Sequence, residues 1–109
     1  MADITSDELG RKVFQIRKER AVEETVDKIH QSLGDAWMAI PHGDRKIVQD
    51  LLGEAWVGIG RAEWGSYAFS RLKEKDLERL IGIGRAWERK EIEESAAIEE
   101  VREVLKPTR

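Results

Sequence analysis

The chain has 109 residues, a net charge of -3, and 38% charged against 40% hydrophobic residues. That length fits one domain, residues 1–109, and the lack of cysteine excludes disulfides, thiolate catalysis and zinc–cysteine sites. No apolar run approaches the roughly 18 residues of a membrane span, and the polar start from Met1 to Gly10 does not read as a secretion signal, so a cytoplasmic protein without membrane contact is expected.

The charged fraction exceeds the roughly 25% of average globular domains, while apolar content is ordinary. Long amphipathic helices produce that balance, because each narrow apolar stripe carries a wide solvated face. The first predicted helix spans residues 6–40. Thr5 with Glu8 resembles a capping box, Ser6 and Asp7 are good cap residues, and Pro41-His42-Gly43 ends the helix. Val22, Val26, Ile29, Leu33 and Ile40 form one stripe with Trp37 beside it. Leu9, Val13 and Ile16 lie on another meridian, which predicts a kink near residues 17–20 or separate packing of the first turns.

The second predicted helix covers 44–73 with Asp44 as N-cap; Val48, Leu52, Ala55, Ile59, Ala62, Ser66 and Phe69 keep a 4-3-4-3-4-3 spacing through it. The third covers 76–105, capped by Asp76 and stopped by Pro107. Leu80, Ile83, Trp87, Ile98, Val101 and Leu105 share its seam, with Glu91 and Glu94 at the seam positions between. No strand-like alternation competes. The expected fold class is all-α, with long antiparallel helices forming a helical bundle completed by self-association.

Most of the nine glycines fall inside these helices, where each costs about 1 kcal/mol relative to alanine. Close helix packing is the favoured reason: Ala55, Gly58, Ala62 and Gly65 follow 3-4-3 spacing, Gly82 and Ala86 are four apart, and tryptophans stand ready to fill the space. A flexible joint at the paired glycines is a second reading. A third starts from Leu77-Glu78-Arg79-Leu80-Ile81-Gly82-Ile83-Gly84, which resembles the helix-hairpin-helix family, with Leu51 through Gly60 as a poorer copy. That resemblance implies Gly-Ile-Gly turns whose backbone N–H groups face nucleic-acid phosphates. The sequence departs from the pattern at Glu88 and Trp64, where a small residue is expected, and at Ile81 and Val57, where a turn former is.

Charge is segregated. Leu9 to Arg20 holds five bases and one acid, whereas Glu88 to Glu103 holds seven acids and three bases. Arg17 and Arg20 could therefore pair with Glu91 and Glu94 within a chain or across a dimer. Glu23, Asp27 and His30 share one helix face, and with Glu91 and Glu94 they could form a carboxylate/His metal-binding bundle. The Glu-x-x-His repeat of such bundles is missing, so solvated faces are preferred and no metal is assigned. The serines have no histidine at a recognisable spacing, His42 falls in a turn, and no Walker-type loop occurs, so neither an enzyme nor a cofactor is expected.

Four tryptophans among so few aromatics favour an interface. The leading expectation is a small protein–protein interaction module, an adaptor, subunit or inhibitor of a larger partner, that also binds itself through Trp56, Trp64, Trp87, Gly58, Ala62 and Gly65. The alternative is a nucleic-acid-associated protein using Arg11, Lys12, Arg17 and Lys18 and the Gly-Ile-Gly turns.

Overall fold

The computed structural model describes residues 6–106, and every regular element among them is helical. In chain order these are α1 (Ser6–Leu33), α2 (Asp35–Ala39), α3 (His42–Ile59), α4 (Arg61–Trp64), a single 3-10 turn (Phe69–Arg71), α5 (Glu74–Glu88) and α6 (Glu94–Leu105). The capping box at Thr5 and the stop at Pro107 fall outside the described residues.

The hub is α3. Its Val48, Leu51, Leu52, Ala55 and Ile59 are buried at the spacing the apolar seam requires. It packs against α1, α5 and α6, and α5 packs against α6. The fully buried side chains Ile29, Val48, Leu51, Leu52, Leu77, Leu80 and Val101 come from these four helices and meet in one core. Each contributes roughly 1.5–3 kcal/mol by leaving water. Trp64 lies at the edge of that core, stacked on Phe69 at 6.2 Å, edge-on to Tyr67 at 5.7 Å and tilted against Trp56 at 5.3 Å. The Ser32 hydroxyl on α1 reaches the Phe69 carbonyl at 2.5 Å and ties this aromatic corner to the first helix.

The helix limits differ from the sequence expectation in four places. No break occurs near residues 17–20; α1 is continuous to Leu33. Gly34, at φ +53°, ends α1 and leaves 35–39 as a separate turn that buries Trp37. The helix predicted over 44–73 begins at His42, behind Pro41, and stops at Ile59, because Gly60 takes φ +91° and turns the chain into α4. Ala62 and Ser66, placed in the seam by their spacing, are exposed beyond that break.

The fourth difference is the division of the helix predicted over 76–105. It starts at Glu74, where the Asp76 carboxylate accepts from the Lys73 N–H at 2.7 Å. It ends at Glu88 in a Schellman arrangement: the Glu91 N–H donates to the Ala86 carbonyl at 2.9 Å and the Lys90 N–H to Trp87 at 3.0 Å. Lys90 takes the left-handed conformation, φ 60°, that glycine usually fills at this position. The chain then resumes as α6.

Several glycines lie where helices meet. Ile98 of α6 covers Gly58, so that an added Cβ would stand 2.5 Å from its Cδ1. Ile47 of α3 covers Gly84 of α5, and a Cβ there would stand 2.4 Å from Cγ2. Val22 and the Lys18 stem on α1 lie over Gly53, both 3.4 Å from the Cβ position. Gly82, two residues from Gly84, faces open space. Both Gly82 and Gly84 lie inside α5, so the Gly-Ile-Gly turn that the family resemblance implied there is absent.

Candidate interaction surface on the first helix

At 1.5 Å per residue α1 is about 42 Å long, comparable to the 50 Å long dimension of the protein. Its side chains meet the body from Lys18 onward; every residue from Asp7 to Arg17 is exposed. Four of those are large and apolar: Leu9 (55% exposed), Val13 (39%), Phe14 (55%) and Ile16 (51%). Because α1 is unbroken, the meridian of Leu9, Val13 and Ile16 points away from the one that buries Ala21, Thr25 and Ile29. The stripe is a second apolar face on a continuous helix, turned outward.

A groove of opposite charge runs along each flank of α1. One, of about 560 Å³, lies between α1 and α3, with Trp87 in its wall and the carboxylates of Glu19, Glu23, Asp27, Asp50 and Glu54 around it. Lys18 is the one base there and pairs with Glu54 at 3.4 Å. A hydrogen bond to Glu54 and the charge of that carboxylate hold the Glu94 carboxyl above the usual range, with Lys18 pulling the other way. The other groove, of about 530 Å³, lies between α1 and the α4 corner. Arg17, Arg20, Lys28 and Arg61 line it with one acid, Glu24, over the rings of Trp56, Trp64 and Phe69.

The sequence-predicted residues are distributed as follows. Trp64 is buried in the core corner, Trp56 and Trp87 are half-buried against the core, and Gly58 lies under Ile98. Ala62 and Gly65 are exposed. Arg11, Lys12 and Arg17 are exposed on different sides of α1, while Lys18 leans into the acidic groove. Arg17 and Arg20 do not reach Glu91 or Glu94; Glu91 lies 4.0 Å from Arg89. Among the described residues no three His, Asp or Glu side chains gather as a metal site, and no helix is long and apolar enough to cross a membrane. Sequence reasoning missed the basic groove, since Arg61 and Trp56 reach Arg17 only through the fold.

No protein-family model matches the chain, and neither a curated protein nor a solved structure resembles it.

Proposed function

We propose that this chain is a small non-catalytic helical interaction module, acting in the cytoplasm, that self-associates through the outward stripe of α1. The observation that carries the reading is the exposed run from Asp7 to Arg17 with Leu9, Val13 and Ile16 on one meridian. An apolar face on a projecting helix is stabilised when a second apolar face covers it.

The occupant that fits is a second copy, with the two α1 helices antiparallel. Lys12 and Glu19 stand seven residues apart on one flank of the stripe. Antiparallel pairing sets Lys12 of each copy beside Glu19 of the other, so the charges complement one another twice across a two-fold axis. With the axis between Val13 and Ile16, Val13 of one copy meets Ile16 of the other, and Leu9 meets the aliphatic stem of Arg20. Such pairing completes an antiparallel bundle around α1, and the glycines under Ile98 and Ile47 serve close helix approach within each copy. A larger protein partner would then dock on the assembled module.

Sedimentation velocity over a dilution series tests this. A concentration-dependent monomer–dimer equilibrium is expected, weak because the stripe is short. Val13→Glu should abolish it while leaving the helical circular dichroism unchanged. A wild-type chain that stays monomeric at high micromolar concentration would overturn the reading.

A further inference from the structure

Arg17, Arg20, Lys28 and Arg61 bring four positive charges to one groove of a protein whose net charge is -3. Among the described residues Arg17, Arg20 and Arg61 have no carboxylate partner, and Lys28 rests 5.5 Å over the Phe69 ring. Other bases that lie against the body are paired, Arg85 with Asp44, Arg102 with Glu63 and Lys18 with Glu54, whereas these four line one concave surface together. Unpaired like charges repel, and an anion in the groove relieves that repulsion.

The shape selects the anion. Arg17 to Lys28 along α1 is a row of about 16 Å at 1.5 Å per residue, too long for one compact phosphate. Arg61 faces it from the α4 side. The acidic groove across α1 is not the occupant in a second copy, because two concavities do not interlock. An extended chain of phosphates fits the row, and the half-buried Trp56 ring in the wall offers a base a surface to stack on. We propose that this groove binds single-stranded nucleic acid, with the phosphates along Arg17, Arg20, Lys28 and Arg61 and a base against Trp56. The groove adjoins the outward stripe, since Arg20 continues the 4-3-4 spacing of Leu9, Val13 and Ile16 and Arg17 also borders Leu9 and Val13, but Lys28, Arg61 and Trp56 belong to the groove alone. Glu24 stands in the row as the one opposing charge and limits the affinity.

Fluorescence anisotropy of a labelled fifteen-nucleotide oligothymidine at low salt tests the assignment. Binding should weaken with salt, with a log–log slope of about -3 for four phosphate contacts. Arg17→Ala with Arg61→Ala should roughly halve that slope and lower affinity by about tenfold or more. Trp56→Leu should weaken binding without changing the slope, and Glu24→Gln should tighten it. Val13→Ser, which weakens the stripe without placing a charge beside Arg17, should not weaken binding. No binding at low salt, an unchanged slope in the double variant, or equal binding of polyglutamate would each overturn the proposal.

Discussion

Gly82 and Gly84 of α5 offer a matched test of the helix contacts. In an exposed helix interior, replacing glycine by alanine stabilises by about 1 kcal/mol. At Gly82 the added methyl group meets nothing within 4 Å, so that gain should appear in full. At Gly84 the Cβ would stand 2.4 Å from Ile47 Cγ2, 3.5 Å from its carbonyl oxygen and 3.7 Å from its carbonyl carbon. Ordinary carbon contacts are about 3.5–4.0 Å, so something must move by more than 1 Å. Ile47 is β-branched and strongly prefers one rotamer in a helix, so its Cγ2 does not swing aside freely. Its backbone lies directly behind, which forces α3 and α5 apart. Overpacking of this kind costs about 1–3 kcal/mol. Gly84→Ala should therefore be destabilising by roughly 0–2 kcal/mol, and the two variants should differ by about 1–3 kcal/mol. Urea unfolding followed by circular dichroism reads the difference, as a midpoint gap of roughly 1 M for a gap of about 2 kcal/mol. Adding Ile47→Ala to Gly84→Ala should narrow the penalty for the methyl group. Equal stabilisation by Gly82→Ala and Gly84→Ala would refute the close contact between α3 and α5.

Other outcomes follow from single sites. Lys90→Gly should stabilise by about 0.5–1 kcal/mol in urea titration, since the left-handed residue ending α5 would lose its steric cost. Because the folded-state pKa of Glu94 lies above its ordinary value of 4.5, its contribution is most favourable below that value and is lost as pH rises through the folded pKa. Glu94→Gln should thus raise the unfolding midpoint at pH 7 more than at pH 4, and an equal shift at both would remove Glu54 as the cause. Leu51→Ala at the centre of α3 should cost about 2–5 kcal/mol by thermal unfolding, as expected for a fully buried leucine.

The helical class and the main core were legible because apolar phase is a direct consequence of burial: Val48, Leu52, Ala55 and Ile59 read as one seam and form one. The breaks were less legible. Phase runs on through Gly60 into Ala62 and Ser66, but a repeated spacing does not require an unbroken helix, and Gly60 turns the chain while keeping the count. The break after α5 carries neither glycine nor proline, since Lys90 takes the left-handed position. Its sequence signal was Glu91 and Glu94 in an apolar seam, charges that a continuous helix would have buried. The change of meridian between Leu9–Ile16 and Val22–Leu33 was visible, and it marked a second face on an unbroken helix. The tryptophans read as interface anchors are half-buried or buried against the core, because Trp64 finds Phe69, Tyr67 and Trp56 within the same chain. The basic groove joins residues from α1, α3 and α4, and no local spacing encodes that meeting.

The chain contains no cysteine, so pairing of the α1 stripes can be read by disulfide formation between introduced thiols. Val13→Cys chains mixed in equal amounts with Ile16→Cys chains should, under mild oxidation, give mixed dimers well above the twofold excess over each homodimer that random pairing produces. Antiparallel pairing places those two positions opposite each other, within the roughly 4.4–6.8 Å Cα separation that a disulfide needs. Asp27→Cys, on the same meridian but beyond the stripe, should remain a thiol. Cross-linking at Asp27 as fast as at the stripe, or a mixture without preference for the Val13–Ile16 pair, would contradict antiparallel self-association through α1.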